Sequence, residues 1–263
     1  MSPVERGDGV DLVVSDGIAA VRLRNPGRRN ALTWAMYDRL RSIAAHVGER
    51  DDVVAVTIRG DPEDGFAAGT DIGQFVDFAD GRDGVAYERR VGAVVADLLA
   101  IAVPVVALVE GAAVGAGLVV AACCDLVIAE RGARFGAPIA RTLGNCLPAA
   151  VVARLRARVG VARTDAMLLG ATLLPAESLA EAGFVTALAE PGHLQEAAEP
   201  YLHRLRGTAP LTTRALKEIG RRLDAAHAVP DDEDLLIRCY GSTDFREGVG
   251  AFLARRRPVW TGS

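Results

Sequence analysis

Two short loops of small residues are the parts of this sequence best suited to chemistry. The first, Gly115-Ala116-Gly117, follows an apolar run at residues 105–109 and opens a helical stretch. At such a junction the first N–H groups of the helix lack carbonyl partners, and the helix dipole favours negative charge nearby. Small residues let a ligand come close to the backbone. The second loop, Phe66-Ala67-Ala68-Gly69-Thr70-Asp71, follows the β-branched run at residues 53–58. Two such loops can each aim one N–H at the same oxygen, forming an oxyanion hole for an enolate or a tetrahedral intermediate. A dinucleotide fingerprint would need a third glycine where the sequence has Val120, so that assignment fails. Taken alone, the glycines are equally compatible with plain close packing of a helix on a strand. Asp71 is best placed as the N-cap of a following helix.

The elements that must hold these loops follow from periodicity. Residues 10–14, Asp16-Gly17 and residues 18–23 predict a hairpin. Thr33 is positioned to cap a helix with Leu40, Ile43, Ala44 and Val47 on one face. Strands are expected at 53–58, 105–109 and 126–129, and helices near Asp71, at 85–99 and at 115–123. Strand and helix alternate, which predicts an α/β fold. After Pro148 the pattern turns mostly helical, with one strand expected at 184–188, and only helices after Pro210. The break at 207–210 divides the chain into an α/β core, residues 1–207, and a helical C-terminal portion, residues 208–263.

Composition narrows the function classes. The chain has 263 residues, enough to bury a large core, with 30 basic against 34 acidic side chains mixed along it. There is no concentrated basic stripe for nucleic acid. The short run Arg255-Arg256-Arg257 suits the end of a final helix. The longest apolar stretch, residues 101–122, is broken by Pro104, Glu110 and glycines, so no membrane span is expected. Residues 1–16 lack the apolar core of a signal peptide. Cys123, Cys124, Cys146 and Cys239 have no zinc-type spacing and read as reduced thiols. A soluble cytoplasmic protein without a metal is the expectation.

Several segments resemble the crotonase (enoyl-CoA hydratase/isomerase) superfamily. Asn25-Pro26-Gly27-Arg28-Arg29-Asn30-Ala31-Leu32 is similar to its Asn-Pro-x-x-x-Asn-Ala-Leu element, and residues 66–72 to its Phe-x-Ala-Gly-x-Asp-Ile loop. Residues 104–125 resemble its glycine-rich segment running on to Cys-Asp. Ala133-Arg134-Phe135-Gly136, residues 170–185 and the tail at 244–258 fit the downstream pattern, in the family's order. The resemblance implies a spiral of ββα units whose C-terminal helices help form homotrimers, or hexamers built as dimers of trimers. It implies a coenzyme A thioester as substrate and no permanently bound cofactor. By position, the oxyanion donors would be the N–H groups of Ala68 and Ala116. Arg28 and Arg29 would lie near the CoA phosphates. Ala31, Ala67, Asp71, Ile72, Gly115, Pro138, Ile139 and Gly144 would complete the substrate site.

The sequence departs from the family where hydratases carry two glutamates. One position holds Val119, and in the other Phe135-Gly136-Ala137-Pro138 is followed by Ile139. Neither residue can activate water or deliver a proton, work that a positioned acid or base accelerates by about 10²–10⁴-fold. The segment after Ile139 carries polar groups that can take part instead. Thr142 and Asn145 can position a water, Arg141 can hold an anion, and Cys146 can react only with a depressed pKa. Glu110 reads as a loop or subunit-contact carboxylate. The expected activity is that of an enoyl-CoA hydratase/isomerase-like enzyme working through a stabilised enolate. The alternatives are a catalytically silent acyl-CoA binder, thioester hydrolysis and decarboxylation.

Overall fold

Asp16 (φ 49°) and Gly17 (φ 77°) are both left-handed, the conformation that a two-residue type I′ turn requires. They join β1 (Val10–Ser15) and β2 (Ile18–Leu23) as an antiparallel pair. The computed structural model describes residues 5–226 and 229–263, so the stretch expected to lack a signal peptide lies partly outside it, at residues 1–4. Thr33 accepts from the Met36 N–H at 3.3 Å and starts α1 (Trp34–Gly48). The predicted face Leu40, Ile43, Ala44 and Val47 is buried, joined by Met36 and Tyr37. β3 (Ala55–Gly60) begins two residues later than the apolar run and lies parallel to β2.

α2 (Gly81–Ala100) opens with a capping box in which Asp80 and Asp83 serve each other's backbone. β4 (Val105–Val109) is buried throughout, as a central parallel strand must be. β5 (Ala112–Val114), α3 (Ala116–Cys123), β6 (Leu126–Glu130) and β7 (Arg134–Gly136) follow in quick succession. Next come α4 (Ile139–Thr142), α5 (Ala149–Val159), α6 (Val161–Leu168), β8 (Leu174–Pro175), α7 (Ala176–Glu181), β9 (Ala187–Ala189) and α8 (Leu194–Arg206). The chain ends in α9 (Pro210–Ala225), α10 (Glu233–Tyr240) and α11 (Thr243–Leu253). One sheet runs β1-β2-β3-β4-β6-β9, parallel except for the first pair, and β5-β7-β8 forms a smaller one. The expected α/β class is therefore the observed one. Among the described residues no helix is long and apolar enough to cross a membrane.

The strand expected at 184–188 is shorter and later. The N–H groups of Phe184 and Val185 both donate to the Leu179 carbonyl, at 2.9 and 3.1 Å, and so close the end of α7 instead of entering the sheet. The large sheet buries one face against α1, α2 and α3, and the other against Leu194, Ala198 and Leu202 of α8. A third apolar cluster joins the C-terminal helices to the middle of the chain. Phe245 and Val249 of α11 and Tyr240 of α10 pack there with Ile72, Phe75 and Val85.

α10 reaches α2 only because two glycines leave room. A Cβ at Gly84 would lie 2.0 Å from Cγ of Tyr240, and one at Gly81 would lie 2.1 Å from the Ile237 carbonyl oxygen. On the same helix, Gly92 is exposed and faces open space. Gly84→Ala is therefore expected to destabilise the fold by ~1–3 kcal/mol through overpacking. Gly92→Ala, gaining helix propensity, should stabilise it by ~0.5–1 kcal/mol. Urea unfolding of the two variants beside the parent measures both signs.

Candidate active site

The two small-residue loops lie against each other as extended backbone. Ala67 donates to the Ala112 carbonyl at 3.0 Å, Val114 donates to the Ala67 carbonyl at 2.9 Å, and Phe66 donates to Glu110 at 2.9 Å. Gly117 is obligatory for this approach, since a Cβ there would sit 2.1 Å from the Ala67 carbonyl oxygen. Beside the junction, Arg59 donates through Nε and Nη2 to the two oxygens of Glu110, at 2.8 and 2.9 Å. That bidentate pair settles Glu110 as a structural carboxylate. Ala116 is the first residue of α3, so its N–H has no carbonyl to reach within the helix. The Ala68 N–H donates to the Arg29 carbonyl at 3.0 Å. Arg29 and Asn30 both sit at φ 52°. Buried Asn30 holds that turn, accepting from the Asn25 N–H at 2.9 Å and donating to the Gly65 carbonyl at 2.7 Å.

The loops floor a cavity of about 130 Å³. Val119 and Ile139 line it and present hydrocarbon. A carboxylate does enter from α2. Glu88 is 5% exposed, accepts a hydrogen bond from the Tyr240 hydroxyl, and lines the same cavity. Asn145 Nδ2 donates to Tyr240 Oη at 2.9 Å, so the chain of donors ends on Glu88. Burial raises the Glu88 carboxyl to about 8; the Tyr240 hydrogen bond opposes that shift and the charge of Asp232 adds to it. Thr70 links Tyr87 and Tyr37 through its hydroxyl, at 2.8 and 2.7 Å. Burial holds all three tyrosines well above the usual phenol range, hence neutral.

The expected site residues separate into those at the cavity and those elsewhere. Ala68, Gly115, Ala116, Ile72, Pro138, Ile139, Thr142 and Asn145 line it. Ala67 lies directly behind, fully buried. Ala31 backs the adjacent turn, its carbonyl accepting from Asn25 Nδ2 at 2.6 Å. Asp71 caps the short 3-10 turn Ile72–Phe75, accepting from the Gly73 N–H at 3.0 Å. Arg28 and Arg29 are exposed on the turn beside the loops. Two expected residues lie off the cavity. Arg141 faces solvent, because the single turn of α4 directs Ile139 and Thr142 inward and leaves Arg141 on the opposite side. Gly144, at φ 74°, packs against the backbone of Asp244 and Phe245 and does not line the cavity. Thr142 spends its hydroxyl hydrogen on the Pro138 carbonyl at 2.9 Å. Burial raises the Cys146 thiol far above its ordinary range, which rules against a nucleophile.

A larger depression of about 360 Å³ lies elsewhere, lined partly by Arg24 and Arg59. Two of its arginines are committed to carboxylates, Arg24 to Asp11 and Asp61 at 3.2 and 3.3 Å and Arg59 to Glu110. Sequence reasoning missed Glu88. Its signal was there: Glu88 falls on the stripe of Gly84, Val91, Val95 and Leu98 that α2 turns inward, where a charged residue is out of place. Among the described residues no group of histidine, cysteine and carboxylate side chains could hold a metal ion.

Comparison with known proteins gives the family. A sequence model described as enoyl-CoA hydratase/isomerase matches residues 14–263. The 1,2-epoxyphenylacetyl-CoA isomerase of Escherichia coli is 31% identical, with 95% of this chain and 97% of that protein covered. The (E)-benzylidenesuccinyl-CoA hydratase of Thauera aromatica is 29% identical over 97% of this chain and 99% of its own length. A solved enoyl-CoA hydratase/carnithine racemase from Magnetospirillum magneticum superposes with a TM-score of 0.81 at 29% identity, covering 99% of this chain and 97% of that one. With its crotonase fold and a family match along nearly its whole length, the chain belongs to the enoyl-CoA hydratase/isomerase family.

Proposed function

We propose that this chain acts on an acyl-CoA thioester, holding the thioester oxygen between the N–H groups of Ala68 and Ala116 while the acyl group passes through an enolate. The observation that carries the proposal is the clamp between residues 66–69 and 112–117, which brings Ala68 and Ala116 to one apolar cavity. Fixed donors in such a place stabilise developing charge without reorganising. For the Ala68 N–H to reach the thioester, the Arg29 carbonyl must yield it. Arg29 is a non-glycine residue in a left-handed conformation, so nucleotide docking on Arg28 and Arg29 and release of that amide occur on one turn. The chain assembles as a homotrimer or a dimer of trimers; support comes from α9, which exposes Leu211, Leu216 and Ile219. Its free cysteines suit a reducing cytoplasm. Light scattering should then return a multiple of three protomers.

The direct test is incubation with enoyl-, acyl- and malonyl-type CoA thioesters in ¹⁸O-labelled water, followed by mass spectrometry. Conversion with the CoA still attached is expected; free labelled acid would indicate hydrolysis, CO₂ decarboxylation, and binding without change a silent binder. Ala116→Pro removes one donor at a helix position that accepts proline. It should cut turnover by ~10²–10³-fold while leaving the melting temperature near that of the parent. A variant with undiminished turnover would remove Ala116 from the site. The arginines make a separate prediction. Replacing Arg28 and Arg29 by alanine should weaken acyl-CoA binding by about tenfold or more, the loss of charged hydrogen bonds. It should leave binding of the matching acyl-pantetheine thioester, measured by calorimetry, unchanged.

A further inference from the structure

Glu88 is unusual for a carboxylate in three ways. It is buried, it faces the cavity floored by Ala68 and Ala116, and only one of its oxygens is used. Tyr240 donates to Oε1, and among the described residues no group donates to Oε2. A second unmet group lies beside it: Asn145 Oδ1 is buried with no hydrogen-bond partner, although Nδ2 of the same amide serves Tyr240. A buried polar atom without a partner costs free energy, so Asn145 Oδ1 is a poor fit for packing alone and suits a polar ligand in the cavity that Asn145 and Glu88 both line.

We infer that Glu88 is the proton-transfer residue of this cavity, taking a proton from the bound acyl group and returning it, with Tyr240 and Asn145 as its positioning residues. The inference rests on the acyl-CoA reading above and names the residue that replaces the glutamates absent at Val119 and Ile139. A single carboxylate suits double-bond migration in a β,γ-unsaturated acyl-CoA, and hydration needs a second group. Ionised Glu88 removes the α-proton, and the C–H electron pair passes into the thioester. The thioester oxygen then bears the charge between the Ala68 and Ala116 N–H groups. The resulting dienolate takes the proton back from the Glu88 carboxyl at the γ-carbon, giving the α,β-unsaturated thioester. No water is consumed, nothing is oxidised or reduced, and the carboxylate is regenerated.

The surroundings set the pH at which this works. From α1 Glu88 meets Tyr37, whose neighbours Asp38 and Arg41 pair on the solvent side with Arg90 and Asp97. From its own helix it meets Tyr87, from α10 Tyr240, and from the segment after α4 Cys146; burial keeps each of these neutral. The remaining charge acting on it is that of Asp232, just before α10. Burial therefore dominates, and the carboxyl titrates near 8. The ionised form that abstracts the proton grows as pH rises through that value, so turnover should rise with it to a plateau. Tyr240→Phe removes the hydrogen bond that favours the ionised form and should move the rise to higher pH.

The experiment follows conversion of a β,γ-enoyl-CoA to the conjugated isomer by ultraviolet absorbance, with acyl-CoA affinity measured in parallel. Glu88→Gln is expected to slow turnover by ~10²–10⁴-fold, with the dissociation constant nearly unchanged. A second readout needs no turnover. An acid whose pKa is raised by folding binds more protons folded than unfolded, so the parent loses stability between pH 4.5 and about 8 and Glu88→Gln does not. The gap between their melting temperatures should widen across that window. A gap that stays constant overturns the inference, as does loss of affinity together with rate. An active parent matched by an equally active Glu88→Gln overturns this assignment alone. A parent that binds thioesters yet converts none overturns it together with the acyl-CoA reading beneath it.

Discussion

The Ala67 carbonyl oxygen occupies the space where any side chain at position 117 would begin, 2.1 Å from an added Cβ. That one approach fixes the separation of two loops that are about fifty residues apart in sequence. Everything at the cavity floor follows from it. The Ala67–Ala113 bridge sets the loops in parallel register, and the register presents the backbone of residues 68 and 116 to one space. A glycine at 117 therefore does more than open a helix. It converts two unrelated strand ends into one surface whose geometry no side-chain rotamer can alter, which would suit the proposed main-chain donors.

A second close approach shapes the opposite wall. Gly84 admits the ring of Tyr240, so α10 lies flat on α2 and its hydroxyl meets Glu88. The same contact shields the carboxyl from water. Burial and the tyrosine hydrogen bond then act in opposite directions on one group: desolvation favours the neutral acid, and the hydrogen bond favours the anion. Desolvation is the larger effect, because Tyr240 serves only one oxygen and, among the described residues, no cation acts on the carboxyl to offset the loss of solvent. The aromatic cluster of Phe75, Phe78, Tyr87 and Phe245 around Tyr240 completes the shield, with ring centroids 4.9–6.4 Å apart.

What the sequence could reveal depended on whether the cause was local. The β1–β2 hairpin, the Thr33 cap and the buried strand β4 were all legible, because turn chemistry, capping and β-branched runs act within a few residues. The small-residue loops were legible as a pattern, and their mutual contact followed from the family resemblance. The differences have longer-range causes. Phe184 and Val185 look like the start of a strand, yet their N–H groups finish the last turn of α7. Arg141 lies among pocket residues in sequence and turns outward because α4 is a single helical turn. Gly144 answers to α11, a hundred residues away, and not to the cavity. Glu88 was concealed most fully. Its helix was correctly expected, but its burial depends on Tyr240, which lies 152 residues further on.

The two apolar replacements and the buried acid belong to one electrostatic arrangement. Val119, Ile139 and Glu88 line the same cavity. A carboxylate at 119 or 139 would bring water and a like charge beside Glu88. Water would weaken the desolvation that raises its pKa, while the like charge would raise it further and disfavour double ionisation. Hydrocarbon at both positions removes that competition and leaves one carboxyl whose state is governed by burial and a single tyrosine. The cavity instead carries one carboxylate, from α2, with Tyr87 beside it as a neutral phenol. On the proposed reading Glu88 both takes up and releases the proton, since Tyr87, the other titratable group lining the cavity, stays neutral.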